Sequence, residues 1–562
     1  MDPKVFVNSL TFSDGSILTL EENNIVVFVG PNNAGKSASL KEIEASARHK
    51  ISPKKVLREV EFSIIGNIDD IRNFFELTTT KTFLTDGLHY RGLGYDIPAT
   101  NIDYYWNNVR NRGLDSLTAI FVKLLSTETR LAAANPPQNI NTRKDPIQHP
   151  IHLLQKDDAF EEKFSSYFKQ AFGKDLLVHR NAGNEVPLHI GDKPPINPGE
   201  DRISNQYLGR LEELPLLHEQ GDGMRSFVGV LLHAFISTHT ILLIDEPEAF
   251  LHPPQARLLG KMLSKDLPAQ RQLFLSTHSE YFLKGLLDSN NPNLKIIRIQ
   301  REDHINKVSV LSSKDIDSIW NDSLLRHSNI LNGLFHSKVI VCESDSDCRF
   351  YSAILDSLYD GTNEISPDIL FIHCGGKHRI PVVIRALRSL NVPIAIITDF
   401  DVLNNINPLR SIYEELGGIW QTISSDWNNV KSAVDNQRPQ LESEDVKQEI
   451  NRILTEVSER IFPENKVKEI TTILKSTSAW SKAKEVGKNY LPAGQETQAY
   501  NRLTSELEKL GLYIVEIGEL ECFVRSIGNH GPSWVNEVLT KDLKNDPELE
   551  NARRFVRKVT NS

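Results

Sequence analysis

The sequence predicts an α/β protein with two parallel-sheet domains, and two observations carry this prediction. Near the N-terminus an apolar run, 25–29, leads directly into a glycine-rich loop, which is followed by a helix pattern over 38–47. From residue 338 onwards, short apolar strands alternate with helical segments, a pattern typical of a parallel sheet covered by helices. We expect the domains to span residues 1–335 and 336–562.

Composition is that of an ordinary globular protein. The chain has 562 residues, of which 39% are hydrophobic and 25% charged. Polar residues interrupt the longest apolar stretch, 227–244, so we expect no membrane span, and the N-terminus lacks a signal-peptide pattern. The four cysteines match no zinc spacing and suit a reducing compartment, which predicts a cytoplasmic location. A net charge of −10 argues against nonspecific coating of nucleic acid, so such contacts would need local basic patches.

The loop over residues 30–37 reads Gly-Pro-Asn-Asn-Ala-Gly-Lys-Ser. Backbone amides of such a loop, together with the helix N-terminus, cradle phosphates, Lys36 can reach the β and γ phosphates, and the Ser37 hydroxyl suits Mg²⁺. The strand before the loop and the helix after it give the context that this motif requires. We therefore predict nucleoside triphosphate binding by Gly30, Asn32, Asn33, Gly35, Lys36 and Ser37.

Three later segments complete a nucleotide site. An apolar strand, 241–244, ends in Asp245 and Glu246, which would hold Mg²⁺ and activate the attacking water. Another strand pattern, 272–275, is followed by His278, which can sense the γ-phosphate. Between the loop and these strands lie Gly221 and Gly223, before an apolar helix pattern over 227–236; they form a second phosphate cradle or simply a glycine turn that caps the helix.

This order of motifs resembles the ABC-type ATPases of the RecF/SMC and OLD (overcoming lysogenization defect) kind. The resemblance implies ATP as the nucleotide, places Gly221 and Gly223 in the signature motif, although the family often has serine at the first of these positions, and makes 248–253 the loop that faces a partner domain. In such ATPases the nucleotide lies between the phosphate loop of one domain and the signature of another. Since the chain has one of each, we expect a homodimer or a larger homo-oligomer.

The segment over about 52–202 contains no sharp motif, and the family's glutamine loop has no clear position in it. Helix patterns at 114–125 and 159–172 alternate with Asn-rich and Pro-rich stretches. They predict an inserted helical arm that serves dimerisation or substrate contact, or a plain structural elaboration of the domain.

Acidic residues follow two strands of the second predicted sheet. Glu343 and Asp347 come after the strand 339–342, and Asp399 and Asp401 come after the strand 394–397. Ligand sites of open parallel sheets form at the carboxyl ends of strands, so these carboxylates should converge. Such crowded carboxylates repel one another unless divalent cations neutralise them, and oxygen ligands favour Mg²⁺ or Mn²⁺. A pair of such ions can drive phosphodiester displacement.

The ordered set Glu-x-x-x-Asp, Gly-Gly and Asp-x-Asp resembles the Toprim domain of topoisomerases, primases and OLD-family nucleases. The resemblance implies a metal site of Glu343, Asp347, Asp399 and Asp401, with Glu343 and Asp399 also catalytic. It adds Glu521 for a second metal, with Glu519 as the other choice, and a catalytic basic residue near the C-terminus, for which Lys541 ranks ahead of His530 and Lys558. A helical insertion is expected over about 403–508. Lys377 and Arg379 flank the Gly-Gly turn and suit phosphate contacts.

The full arrangement is therefore an N-terminal ABC-type (RecF/SMC-like) P-loop ATPase with a helical insertion and a C-terminal Toprim parallel α/β domain with a helical insertion. It resembles OLD-family endonucleases, including Gabija-type and retron-associated effectors of phage defence. The resemblance implies an ATP-gated, metal-dependent DNA endonuclease with active ATP hydrolysis. Its partners would be DNA, a second copy, and a defence component such as a helicase or a reverse transcriptase with its DNA product, without a membrane. Cleavage of RNA such as transfer RNA, and a non-cleaving nucleic-acid sensor or clamp, remain alternatives.

Overall fold

The computed structural model describes residues 2–49, 55–93, 95–303, 305–311, 320–321, 329–437, 443–476 and 479–561. The chain divides into two compact units, 1–321 and 322–562. The predicted domain limits at 335 and 336 stay a prediction. Within the described residues, no helix is both long and apolar enough to cross a lipid bilayer.

The first unit is organised around a six-stranded sheet in the order β14-β13-β3-β12-β11-β8. All neighbours pair in parallel except β13 and β14. Its strands are β3 (Ile25–Val29), β8 (Val122–Leu125), β11 (Ile241–Asp245), β12 (Gln272–Ser276), β13 (Leu294–Glu302) and β14 (Ile305–Leu311). Strands β3 and β12 are fully buried, which explains why they read as unbroken apolar runs.

Smaller sheets and helices surround the central sheet. An antiparallel sheet, in the order β2-β1-β4, contains β1 (Lys4–Phe12), β2 (Ile17–Thr19) and β4 (Leu57–Ile65). The helices of this unit are α1 (Lys36–Arg48), α2 (Ile68–Thr78), α3 (Ala99–Arg112), α4 (Thr118–Phe121), α5 (Thr127–Ala132), α6 (Pro150–Lys156), α7 (Asp158–Phe172), α8 (Asn205–Glu212), α9 (Asp222–Leu231), α10 (Pro253–Asp266) and α11 (Glu280–Leu287). One core joins β1, β3 and α1 to α3, with Trp106 and Phe121 buried at its centre.

The segment 52–202 is mixed rather than a helical arm. The predicted helix at 159–172 is present as α7, but the segment also forms an antiparallel meander of β5 (Thr80–Leu84), β6 (Gly87–Gly92) and β7 (Tyr95–Pro98), and a hairpin of β9 (Asp175–Val178) and β10 (Leu188–Gly191). The predicted helix at 114–125 is wrong in its second half, because Val122–Leu125 is β8 and pairs in parallel with β11. A short apolar run does not by periodicity distinguish a buried strand from a helix.

The second unit contains a four-stranded, wholly parallel sheet in the order β16-β15-β17-β18. Its strands are β15 (Lys338–Cys342), β16 (Ile369–His373), β17 (Ile394–Thr398) and β18 (Leu512–Ile514). The flanking helices are α12 (Asp345–Tyr359), α13 (Ile380–Ser389), α20 (Pro532–Val538) and α21 (Glu550–Thr560). An aromatic core of Phe350, Tyr351, Phe523 and Trp534 fills the space between α12 and the C-terminal segment.

Between β17 and β18 the described chain is helical, in line with the predicted insertion. Its helices are α14 (Ile406–Glu415), α15 (Trp420–Asp435), α16 (Ser443–Glu456), α17 (Glu464–Ser476), α18 (Ala479–Val486) and α19 (Gln495–Lys509). Trp480 of α18 lies against Phe400, in the turn that follows β17. The insertion therefore packs next to the carboxyl end of the sheet, where the acidic residues lie.

Candidate functional sites

The loop between β3 and α1 has the backbone shape of a phosphate cradle. Asn33 and Gly35 both take left-handed conformations, with φ of 60° and 103°. Gly30 is required by close packing, because a β-carbon there would clash with the carbonyl of Ile299 on β13. The Lys36 side chain is buried and donates to the carbonyls of Gly30 and Pro31, at 2.8 Å each. Its ammonium group therefore lies along the inside of the loop that it would share with a phosphate.

A cavity of about 920 Å³ lies in front of this loop. Its volume falls in the range of ligand pockets, and the pocket is lined by the predicted residues Asn32, Asn33, Gly35, Lys36, Ser37, Glu246 and His278. The sequence did not point to three further lining residues, Lys55, Arg301 and Asn306. The Asn306 side chain bonds the carbonyl of Ala34 and so ties β14 to the loop.

The carboxylates after β11 lie beside the end of β12. Because Asp245 is paired with Ser276 in the parallel ladder, the Ser276 hydroxyl donates to the Asp245 carboxylate. Glu246 has a φ of 48°, which is uncommon for a residue with a side chain, and its backbone N–H donates to the Ser276 carbonyl at 3.1 Å. The Glu246 carboxylate lies 3.3 Å from His278 Nε2. Burial and the nearby Lys36 lower the pKa of His278 to about 4, so this imidazole is neutral at pH 7.

Two further residues support this arrangement. Glu248 accepts hydrogen bonds from the Thr277 hydroxyl at 2.6 Å and the His278 amide at 2.9 Å, which holds the loop of His278. Burial raises the pKa of Glu248. Arg130 on α5, which is fully buried, donates to the Asp245 carbonyl. Arg130 was missed because the segment 114–132 showed no motif, and only its position just after a sheet strand would have drawn attention to it.

The glycines expected in a phosphate cradle are placed differently from the prediction. Helix α9 already begins at Asp222, so Gly223 lies in its first turn and Gly221 just before it. A β-carbon on Gly223 would lie 2.8 Å from the carbonyl of Phe250, in the loop after β11. Gly223 thus permits close packing between α9 and that loop. The role of Gly221 and Gly223 in nucleotide binding stays a prediction.

Three of the predicted acids converge at the carboxyl end of the second sheet. Glu343 follows β15, Asp399 follows β17, and Asp401 lies in the 3-10 turn that comes next. The parallel register of β15 and β17 puts Glu343 beside Asp399, whose amide donates to Glu343 Oε1 at 3.2 Å. One carboxylate oxygen from each of the three residues lies within 4.8 Å of the others. This is the spacing of a single cation site.

The electrostatics of these acids favour a divalent cation. Burial, followed by the charge of Asp401, raises the pKa of Glu343 to about 7. Burial and Glu343 raise the pKa of Asp399 well above its usual value. Carboxylates that disfavour their own ionised forms in this way are stabilised as anions by a bound cation. The donor set is all oxygen, which fits Mg²⁺ or Mn²⁺.

Asp347 lies apart from that group of three. It is buried in the first turn of α12, where Oδ2 accepts from the amide and hydroxyl of Ser344 at 2.8 and 2.9 Å. The side chain thus caps its own helix. Burial, with a further contribution from Glu521, raises its pKa. The hydrogen bonds from Ser344 both go to Oδ2 of Asp347. The role of Asp347 as a metal ligand stays a prediction.

A second group of ligand atoms comes from the segment after β18. Glu519, Glu521 and His530 each offer an atom within 4.8 Å of the others. Glu521 Oε1 accepts from the amide of Gly531 at 2.7 Å, and His530 Nδ1 lies 3.8 Å from the same oxygen. The two residues between which the sequence left a choice, Glu519 and Glu521, are therefore both at this place.

Within the described residues, two lysines contact these acids, and the sequence predicted a phosphate contact for one of them, Lys377. Lys377 bonds Asp401 at 2.8 Å. Lys484, from α18 of the insertion, lies 3.3 Å from Asp399 and 3.2 Å from Glu519, and so bridges the two acidic groups. Its helix pattern gave no hint of a site. Lys541 pairs instead with Glu548 at 2.7 Å and Asp546 at 3.0 Å, which form a separate ion-pair group.

The fold and these sites define a class of protein in which a P-loop ATPase domain is joined to a Toprim domain. Comparison with known families agrees. Residues 25–284 match the model described as "AAA domain, putative AbiEii toxin, Type IV TA system". Residues 334–401 match "Overcoming lysogenization defect protein-like, TOPRIM domain". The resemblance to the OLD family that was read from the sequence is confirmed, because the chain matches both an AAA-type ATPase model and an OLD-like TOPRIM model.

Two curated relatives are named OLD nuclease. The OLD nuclease of Thermus scotoductus is 28% identical over 283 residues, which cover 46% of this chain and 49% of the relative. The Old nuclease of Escherichia phage P2 is 26% identical over 178 residues, covering 30% of this chain and 29% of the relative. This chain thus spans about half or less of the length of these two relatives. Among solved structures, an SMC head domain from Thermotoga maritima is 12% identical with a TM-score of 0.28, covering 56% of this chain and 100% of that one.

Proposed function

We propose that this chain is an ATP-gated, divalent-metal-dependent DNA endonuclease. The observation that carries the proposal is the convergence of Glu343, Asp399 and Asp401 at the carboxyl end of a parallel sheet, in a chain that also has a P-loop site. Burial, followed by the charge of Asp401, raises the pKa of Glu343 to about 7, so an ionised Glu343 destabilises the metal-free site. Strongly shifted carboxyl groups cluster at functional sites, which favours an enzyme over a non-cleaving scaffold.

At the acidic site the protein would hold metal and position the phosphodiester. Mg²⁺ or Mn²⁺ bound there would lower the pKa of an attacking water and stabilise charge on the phosphate. Glu343, Asp399 and Asp401 supply the first group of oxygens, and Asp347, Glu519 and Glu521 are the candidates for a second ion. Lys377 and Arg379, at the turn after β16, would contact backbone phosphates.

At the ATPase site the side chains are arranged for hydrolysis. Lys36 and the amides of the loop would bind the β and γ phosphates, and Asp245 and Ser37 would hold Mg²⁺. Glu246 would orient and deprotonate the attacking water. Since His278 is neutral at pH 7, its Nε2 can accept a proton from, or donate one to, a group near the γ-phosphate.

The unit that hydrolyses ATP is proposed to be a homodimer or a larger assembly. The lining of the 920 Å³ cavity comes from the P-loop, the residues just before β4, the ends of β11 and β12, and the hairpin of β13 and β14, while Gly223 faces Phe250. A signature segment from a second copy would complete the cavity. Closure of such a dimer would change the access of nucleic acid to the acidic site, which is the gating that we propose.

A role in bacterial antiphage defence is part of the proposal. It is supported by the resemblance of the two-domain arrangement to Gabija-type and retron-associated effectors. A helicase, or a reverse transcriptase with its DNA product, would then be the second component. The cytoplasmic location stays a prediction.

The test is incubation of the purified protein with supercoiled plasmid, linear DNA and structured RNA, with Mg²⁺ or Mn²⁺ and with or without ATP. We expect metal-dependent cutting of DNA that changes with ATP. Asp399→Ala should abolish cutting and leave ATP turnover, whereas Glu246→Gln should bind ATP without turning it over. If Asp399→Ala cuts as well as the parent protein, the site is wrong; if RNA alone is cut, the substrate is wrong.

A further inference from the structure

Lys484 occupies an unusual place, because it touches one carboxylate from each of the two acidic groups. Its Nζ lies 3.3 Å from Asp399 Oδ2 and 3.2 Å from Glu519 Oε2. Asp399 belongs to the group with Glu343 and Asp401, and Glu519 to the group with Glu521 and His530. The ammonium group is thus a positive charge at the junction between the two candidate cation positions.

The backbone that carries Lys484 is held firmly against the sheet. A β-carbon on Gly518 would clash with the Lys484 carbonyl, and one on Gly487 would clash with the carbonyl of Glu516. The Lys488 amide donates to the same Glu516 carbonyl at 2.8 Å. The end of α18 therefore packs backbone to backbone on the segment after β18, and the reach of Lys484 to the acids is built into the fold.

The other end of α18 is anchored to the helical insertion. Trp480 Nε1 donates to Asp435 of α15 at 2.7 Å, and the indole lies against Phe400. Ala483 is buried beside it. These contacts, together with those of Gly518, fix both ends of a two-turn helix. Displacement of Lys484 from the acids is therefore a side-chain movement, since the backbone is restrained.

A divalent ion on the same two carboxylates would compete with this ammonium. An ion held by Asp399 and Glu519 would use the same two carboxylates that Lys484 Nζ contacts at 3.3 and 3.2 Å. Two cations so close together in a partly buried site would repel strongly.

We propose that Lys484 is an internal counter-ion that holds the place of a second divalent ion, and that this ion binds only when Lys484 moves away. The proposal rests on the proposed nuclease function and deepens it by naming how the site is regulated. The position formed by Glu343, Asp399 and Asp401 would fill first, at low metal concentration. The position beside Glu519 and Glu521 would fill later, so that the second ion controls the step from a half-loaded site to a fully loaded one.

The test is a Mn²⁺ titration of the full chain without nucleotide, with free Mn²⁺ measured by electron paramagnetic resonance. We expect the wild type to bind one ion tightly and a second one weakly. Lys484→Met should tighten the second ion about tenfold, at the low end of the 10–100-fold range by which groups around metal ligands change affinity. Lys484→Arg keeps the positive charge and should leave the second ion weak.

Lys482 gives the matched control, because it lies on the same helix and pairs with the exposed Glu485 at 3.1 Å. Lys482→Met should leave both ions unchanged. If Lys484→Met does not melt cooperatively, Lys484→Gln replaces it, since its amide can still bond the carboxylates without a charge. An unchanged or weaker second ion in the neutral variants, or two equally tight ions in the wild type, would overturn the proposal.

Cleavage assays keep this result separate from the nuclease proposal. The Mn²⁺ titration needs no nucleic acid, so it decides the role of Lys484 even if no substrate is cut. If the neutral variants bind the second ion more tightly and cut DNA at lower Mn²⁺ than the wild type does, both proposals stand. If the titration fails while Asp399→Ala abolishes cutting, the nuclease stands and the counter-ion is wrong.

Discussion

The two candidate sites carry opposite charges at similar places in their sheets. Both lie at the carboxyl ends of parallel strands. In the P-loop, Lys36 is buried and donates to the backbone carbonyls of Gly30 and Pro31, and its positive charge suits an anionic ligand. In the acidic site, Lys484 pairs with Asp399 and Lys377 pairs with Asp401. The negative charge of these carboxylates suits a cationic ligand.

This difference shows that the two sites select their ligands by different features, one by its backbone and the other by its side chains. The P-loop depends on backbone shape, which the positive φ values of Asn33 and Gly35 provide. The charged side chain of the loop, Lys36, bonds the carbonyls of the loop itself. The acidic site depends on side-chain charge, and lysines from outside the three carboxylates hold it together. At the P-loop, an anionic ligand must therefore compete with the carbonyls that hold Lys36. At the acidic site, a cation must compete with the lysines that hold the carboxylates.

The largest effect is expected from Lys36→Ala, which tests whether the P-loop works without its cation. ATP turnover should fall by at least about 1000-fold, comparable to the loss of other charged groups that stabilise phosphoryl transfer. Mn²⁺ binding at the acidic site should be unchanged. Steady-state hydrolysis and the Mn²⁺ titration measure the two results. Lys41→Ala, at an exposed position of the same helix, is the control and should hydrolyse ATP normally.

Glu343→Gln tests the charge dependence of the acidic site. The tight Mn²⁺ should weaken by at least about 100-fold, because loss even of an outer partner of a metal ligand costs 10–100-fold. The metal-free variant should also melt at a higher temperature, because one of the crowded carboxylates has lost its charge. Calorimetry with and without Mn²⁺ measures both effects. A variant that binds Mn²⁺ as the parent does would show that Glu343 is not a ligand.

The pH dependence of stability sharpens the contrast. The pKa of Glu343 is raised to about 7 from an ordinary value of 4.5, so between these pH values the folded metal-free protein keeps a proton that the unfolded chain has lost. Stability of the metal-free protein therefore falls as pH rises through this window. Mn²⁺ binds the deprotonated form, so the rise in melting temperature on adding Mn²⁺ should be larger at pH 8 than at pH 5.5. An equal rise at both pH values would contradict the raised pKa.

The smallest effect is expected from Arg130→Met, because Arg130 acts on the ATPase site through the backbone of Asp245. We expect kcat for ATP to fall about tenfold with little change in KM, as is typical when a group acts only in the transition state. Arg143→Met, in an exposed turn, is the control. If KM rises and kcat does not change, Arg130 supports nucleotide binding instead of positioning Asp245.

Local sequence patterns correctly predicted the strands that end in a functional residue. The runs before Gly30, Asp245 and Glu343 are buried parallel strands, and buried strands read as unbroken apolar runs. The converging acids Glu343, Asp399 and Asp401 follow from the same rule, since carboxyl ends of parallel strands share one edge.

Contacts between distant segments could not be predicted. Lys484 reaches Asp399 across 85 positions of chain through an insertion with no motif, and Arg130 reaches Asp245 from an equally plain helix. The capping bonds of Asp347 depend on side-chain rotamers. The misassigned β8 shows the same limit, because its strand character comes from pairing with β11, which lies over a hundred residues later.

Strand β8 also determines how this protein can be shortened. It forms one edge of the central sheet and covers the backbone of Ile241–Ile244, next to Asp245. Removing the whole of 52–202 would leave that apolar strand with unpaired N–H and C=O groups, a known template for aggregation between chains. A minimal ATPase unit must therefore retain Val122–Leu125, and it must retain β6 and β7 as well, because Tyr90 and Ile97 belong to the core of this unit.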